Sequence, residues 1–503
     1  MRIGLLAVVA LGVASHAGLA RAEDWPQFRG PSAAGRSTSS QAPSEWSDEK
    51  DGAEKNIAWK IEVPGVAWSQ PIVWGDNIFV TTAITENQQK PAGGGFGGGG
   101  GGEGRGGFGP PGGGRPPRGE QAERRDKGAP RPEGGQRRPG GQRPPGGPGG
   151  FGGGFGRPSA PPDAVYQWKV LCLDRQSGKT LWEQLAKQAK PTIPTHRTNT
   201  FASETPVTDG ERLYAYFGMT GLYCYDLEGK LLWSKDLGTY PMMAGWGTGS
   251  SPALEGDRLF ILCDNEEQSF LAAFDKKSGD ELWRVKRDEK SNWCTPFVWK
   301  NKLRTELVIS GATTRSYDPA SGKLLWEMGG NAGGARSSPT ADDELLYVGT
   351  GGGMGGAGPL SAIRAGADGD ITPMGSETTS AGVAWSVGRS GPPMASPLLY
   401  EGCLYVADQR SGVVACYDAK TGEQHYKERL PSARGFTSSP WAADGKVFCL
   451  DESGQTFVLQ PGPELKILAT NKLDDMFWSS AALAGDQLLL RGVSRLYCIT
   501  EKE

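Results

Sequence analysis

The chain has 503 residues and a formal net charge of −3, from 54 Lys and Arg against 57 Asp and Glu, a balance that excludes a bulk nucleic-acid binder. Its 77 Gly, 36 Pro and 16 Trp punctuate the sequence so densely that one large repeat domain is expected rather than several ordinary ones. Three histidines in the whole chain exclude a His-rich metal site and a Ser-His-Asp triad.

The first residues read as a leader. Arg2 precedes an apolar run from Ile3 to Val13, and Ala20-Arg21-Ala22 forms an A-x-A cleavage site, so residues 1–22 are a predicted signal peptide cut after Ala22. The run is too short to span a bilayer, so no transmembrane segment is expected and the mature chain, residues 23–503, should be periplasmic or secreted. DWPQFRGP (Asp24 to Pro31) follows, and NIAWKIEV (Asn56 to Val63) has the pattern of a lone outer strand.

A repeat then begins. Its starts align at Pro71, Pro206, Pro252, Pro296, Pro339, Pro397, Pro440 and Ala481, most of them preceded by a pair of small or polar residues. Five of the seven intervals are 41–46 residues; 58 separate Pro339 from Pro397, and 135 separate Pro71 from Pro206. The longest interval contains residues 90–162, a Gly/Pro-rich tract with 12 Lys and Arg against 5 Asp and Glu. Such a segment has little to bury against its ordering entropy, so it is read as a disordered insertion within the first repeat.

Each repeat reads as four short strands. The third ends in Asp, and a D-x-x-x-G turn leads to a fourth ending in Leu-Trp: LDRQSGKTLWEQ at Leu173, FDKKSGDELWRV at Phe274, YDPASGKLLWEMG at Tyr317 and, with Tyr426 for Trp, YDAKTGEQHYKE at Tyr417. The Asp side chain accepts turn N–H groups and the Gly supplies φ > 0. Trp182, Trp233, Trp283 and Trp326 are then placed to dock against the next repeat. Four-stranded units of this length are propeller blades, so the expected fold is all-β, an eight-bladed β-propeller. The last repeat lacks a fourth strand; NIAWKIEV, with Trp59 in the docking place, is expected to supply it and close the ring.

The D-x-x-x-G-x-x-x-W spacing at Asp174, Asp275 and Asp318 resembles the tryptophan-docking repeat of the pyrroloquinoline quinone (PQQ) propeller superfamily, and DWPQFRGP resembles the start of bacterial secreted proteins with PQQ-like repeats. That resemblance implies the fold but spans unlike functions, from quinoprotein alcohol dehydrogenases to an outer-membrane assembly lipoprotein that binds no quinone. For a dehydrogenase it implies PQQ with calcium. The chain departs from that pattern: it has no Cys-Cys pair, no C-x-x-C-H haem site, and an uncharged Tyr216-Phe217-Gly218-Met219-Thr220-Gly221 where an acid and an Arg are common. The expected role is therefore a monomeric binding or scaffold protein of the periplasm or cell envelope without a cofactor, meeting an envelope protein or glycan. The alternatives are a calcium- and PQQ-dependent dehydrogenase, with Glu204, Asn292 or Asp475 as metal ligands and base, and a glycan-binding module.

Loops leading into the first strands share one face of a propeller, around the channel mouth. They carry Trp68, Arg197, Glu204, Trp246, Asn292, Trp293, Arg336, Arg434, Asp475 and Trp478, the candidate ligand-binding residues. Convergent Trp and Arg suit a flat anionic or sugar-like ligand through stacking and charge-assisted hydrogen bonds. Cys172, Cys224, Cys416 and Cys498 share one repeat position, two residues before the third-strand Asp or its equivalent, and read as free thiols in a small packing slot.

Overall fold

Alternating apolar residues and eight sets of turn signals produce eight antiparallel sheets in this computed structural model, which describes residues 24–38, 41–48, 54–91, 160–331, 333–351 and 357–501. The predicted signal peptide lies outside those residues, as does most of the 90–162 tract. In blade one the strands are Ile72–Trp74, Asn77–Ile84, Tyr166–Asp174 and Thr180–Ala189, from the channel outward. Residues 85–165 thus connect its second and third strands. Blade two repeats the plan with Val207–Thr208, Arg212–Tyr216, Leu222–Asp226 and Leu231–Lys235. Its middle strands are buried between neighbouring blades, whereas its outermost strand is half exposed. The hydrophobic pattern follows that difference.

The ring closes as expected. Ile57–Glu62 pairs antiparallel with Arg495–Ile499 and becomes the fourth strand of blade eight. Trp59 sits opposite Cys498, just as Trp182 sits opposite Cys172, Trp233 opposite Cys224 and Tyr426 opposite Cys416. A small residue there leaves room for the indole, and all eight cysteines are free thiols. Trp59 crosses to the next blade, where its Nε1 donates to Arg175 O at 3.0 Å; Trp182 and Trp283 do the same with Leu227 O and Pro319 O. A Cβ on Gly322, whose φ is +71°, would lie 2.8 Å from Trp283, so this turn must be glycine for both conformation and contact.

Three blades vary the scheme. Trp326 is buried but donates to Glu306 Oε2 within its own blade, at 2.6 Å, rather than to a neighbour. The blade-five excursion covers that edge instead, with Gly369–Asp370 adding a parallel fifth strand beside Trp326 and Glu327. Blade five itself uses Trp385, whose Nε1 reaches Ala419 O of blade six at 3.1 Å, a docking residue that the broken turn spacing hides in the sequence. In blade seven Ala469 takes the tryptophan position, and Trp46 of the N-terminal arm packs into the same cluster.

The arm also closes the channel from below. Trp25 pairs with Val73 and Thr208 N donates to Pro26 O, so DWPQFRGP runs beneath blades one and two. Arg29 then enters the axis, 1% exposed, and its Nη2 donates to Pro397 O at 2.6 Å and Ala34 O at 3.3 Å, while its own N–H donates to Gln70 Oε1.

Candidate functional site

The residue before the proline that starts each blade carries a side chain toward the axis. Seven of these are Ser or Thr, and they form a chain of hydrogen bonds around the channel. Gln70 N donates to Thr205 Oγ1, Thr205 N to Ser251 Oγ, and Ser251 N to Thr295 Oγ1. Thr295, Ser338, Ser396 and Ser439 continue it, each N–H donating to the hydroxyl of the next blade, ending at Ser480. The distances are 2.9–3.3 Å. Gln70 breaks the pattern, turning its amide to Ala481 O and Arg29 N. Each hydroxyl accepts one bond and keeps its own O–H; none of the seven donates to a protein group among the described residues.

Above this girdle lies a cavity of about 180 Å³ floored by Phe28 of the arm. Five of the ten candidate residues line it: Trp68, Trp246, Trp293, Arg336 and Trp478. Trp68 and Trp478 stack with ring centroids 5.4 Å apart, and Trp246 and Trp293 stand 5.6 Å apart, tilted by 37°. The Arg336 guanidinium lies 4.6 Å from the Trp246 ring and 5.4 Å from Trp293, a cation–π pair. No carboxylate pairs with Arg336 among the described residues. Burial, with Arg410 nearby, brings the guanidinium down to about 10.

Local bonds fix this arrangement. Ala335 N donates to Asn292 Oδ1 at 2.8 Å and Trp293 N donates to Ala335 O at 2.6 Å, which sets Arg336 beside Trp293. Trp293 Nε1 reaches Gly247 O at 2.7 Å, and Asn199 Nδ2 holds Trp246 O at 2.8 Å.

The other five candidates lie off the cavity. Arg197 and Arg434 are exposed. Asn292 is buried and also donates to Asp264 Oδ2, part of a network in which Arg287 Nε meets Asp264 Oδ1 at 2.8 Å. Asp475 caps a loop by accepting from Met476, Ser494 and Arg495 N–H groups. Glu204 occupies the place where other blades carry Ser69, Ser250 or Ser337, 1% exposed behind the girdle. Burial pushes its carboxyl up to about 7 against a hydrogen bond from Thr248, and its Oε1 is unpartnered among the described residues. Phe28, His196 and the girdle hydroxyls line the cavity without having been singled out from sequence. The signal for the girdle was present, as the Ser or Thr before the first proline of six blades and before Ala481 in the eighth.

Fold and site together define an eight-bladed propeller of PQQ-like repeats with a capped axial cavity. The repeat family described as "Outer membrane protein assembly factor BamB" matches residues 168–299, 271–400 and 310–461, more than half of the chain, and the chain belongs to that family. No curated protein matches the chain at a significant level. Among solved structures, a quinohemoprotein alcohol dehydrogenase from Comamonas testosteroni is 10% identical with a TM-score of 0.55, covering 95% of this chain and 80% of that one. A europium-containing methanol dehydrogenase is 10% identical with a TM-score of 0.54, covering 94% and 90%. BamB from Moraxella catarrhalis is 12% identical, with a TM-score of 0.48 and coverage of 68% and 91%. At these identities the two dehydrogenases share the fold alone.

PQQ with calcium is the cofactor that this resemblance implies, and the residues present do not fit it. A hard divalent cation needs a shell of carboxylate and carbonyl oxygens. The cavity is lined by no Asp or Glu, and Glu204, Asn292 and Asp475 are directed elsewhere. Among the described residues no group of His, Cys, Asp and Glu is placed to hold a metal ion.

Proposed function

We propose that this chain is an exported propeller serving as a binding or scaffold protein in the periplasm or cell envelope, with its ligand or partner seated at the channel mouth. The leader pattern of residues 1–22 supports export, and among the described residues no helix is long and apolar enough to cross a membrane. One observation carries the site. Arg336 keeps a desolvated charge against two indoles with no acid to neutralise it among the described residues, which costs stability unless something else uses it.

Oxidative footprinting of the mature protein in periplasmic extract tests the reading. Trp246 and Trp293 are expected to be protected relative to buffer, while Trp182 and Trp283 at the outer rim are not. Equal oxidation of all four in extract and buffer contradicts it.

A further inference from the structure

The girdle and Arg336 together specify what the mouth accepts. Each of the seven hydroxyls accepts a backbone N–H and keeps its O–H as a donor, with one further lone pair, so the ring can offer up to seven donors toward the axis. All seven are at most 8% exposed, and six, all but Ser338, line the cavity. Arg336 adds further donors and the only formal side-chain charge on the cavity wall that is fixed at neutral pH. A wall with many donors and no carboxylate favours an acceptor-rich, negatively charged guest, and opposes a cation. Four indoles supply flat apolar faces around it. Phe28 and Arg29 block the lower end, so a guest enters and leaves by the mouth.

We propose that the cavity binds a small, flat molecule bearing one oxyanion, its carboxylate or sulfonate held by Arg336 and the axial Ser and Thr hydroxyls and its ring against the mouth tryptophans, without a metal ion. This rests on the reading of the mouth as the ligand site and narrows it. A single free guanidinium matches one oxyanion; a tricarboxylate would bring two further charges into a cavity with no second fixed cation. Asn292 acts as a positioning residue, since its side chain holds Ala335 next to Arg336.

The test titrates the mature full-length protein with 2-naphthoate, its neutral counterpart 2-naphthamide, and PQQ with and without Ca²⁺, read by tryptophan fluorescence. Naphthoate should bind at least tenfold more tightly than the amide. Arg336→Gln should abolish that preference, and Arg336→Lys should restore part of it. Calcium should not tighten PQQ binding. Equal affinity for acid and amide, an unchanged preference in Arg336→Gln, or calcium-dependent PQQ binding would each overturn the inference. So would absent naphthoate binding; if Trp246 and Trp293 were still protected in extract, the mouth would remain a ligand site for a guest of different chemistry.

Discussion

Two arginines lie on the channel axis, one at its floor and one at its mouth, and their surroundings differ. Arg29 is 1% exposed and shares its Nη2 between Pro397 O and Ala34 O, while burial brings its guanidinium down to about 9. Arg336 touches the faces of Trp246 and Trp293 and has no acid or carbonyl partner of its own among the described residues. Arg29 ties the arm to blade carbonyls through its Nη groups, though its Nε has no partner among the described residues, whereas the half-buried Arg336 gives no side-chain N–H to a protein group among those residues. On the reading proposed above, the floor serves the fold and the mouth a guest.

The floor should break first. Arg29→Ala strips Pro397 O and Ala34 O of their donor and opens a void beneath Phe28, an expected loss of about 4 kcal/mol in denaturant unfolding. Behind the girdle, Glu204 keeps its proton in the folded state up to about pH 7, where an unfolded carboxyl releases it near 4.5. The folded state thus binds the extra proton, and its stability falls as pH rises from about 4.5 to 7 and is level above. Glu204→Gln should remove that slope, gaining on the wild type by about 3 kcal/mol between pH 4 and pH 8 in parallel unfolding curves. Gly30 has φ +68° and ψ −151°, and a Cβ there would lie 2.4 Å from the Trp25 ring. Gly30→Ala should cost about 2 kcal/mol by the same assay. At the mouth, Arg336→Gln removes no hydrogen bond; it ends the cation–π contact with Trp246 and Trp293 but also relieves a desolvated charge, so the opposing effects should leave a net change of about 1 kcal/mol or less. A large loss there would erase the distinction between floor and mouth.

The propeller was legible because its frame is local: Asp318, Ser321 and Gly322 write a turn that closes within five residues, with Ser321 N donating to Asp318 Oδ1 at 2.7 Å. Closure by Trp59 was legible for the same reason, as an outer strand standing alone before the first repeat. Trp385 was hidden because the blade-five excursion breaks the turn spacing, and Trp46 because it fills a neighbour's gap from a non-repeating arm. The candidate site was half legible. The loops bearing Trp246, Trp293 and Arg336 could be placed on one face from topology alone, but side-chain direction depends on long-range bonds. Asn292 shows this, with Asp264 and Ala335 drawing its amide away from the cavity. The role of DWPQFRGP as a plug also has no local signature, because Arg29 meets its carbonyl acceptor 368 residues away.

The most direct measurement is thermal unfolding of the wild type and Arg336→Gln across a series of 2-naphthoate concentrations. The account predicts similar midpoints without the probe, and stabilisation at one hundred times the wild-type Kd of about 2.7 kcal/mol for the wild type against about 1.4 kcal/mol or less for Arg336→Gln. Equal stabilisation of both proteins, or unfolding of Arg336→Gln well below the wild type in the absence of probe, would contradict it.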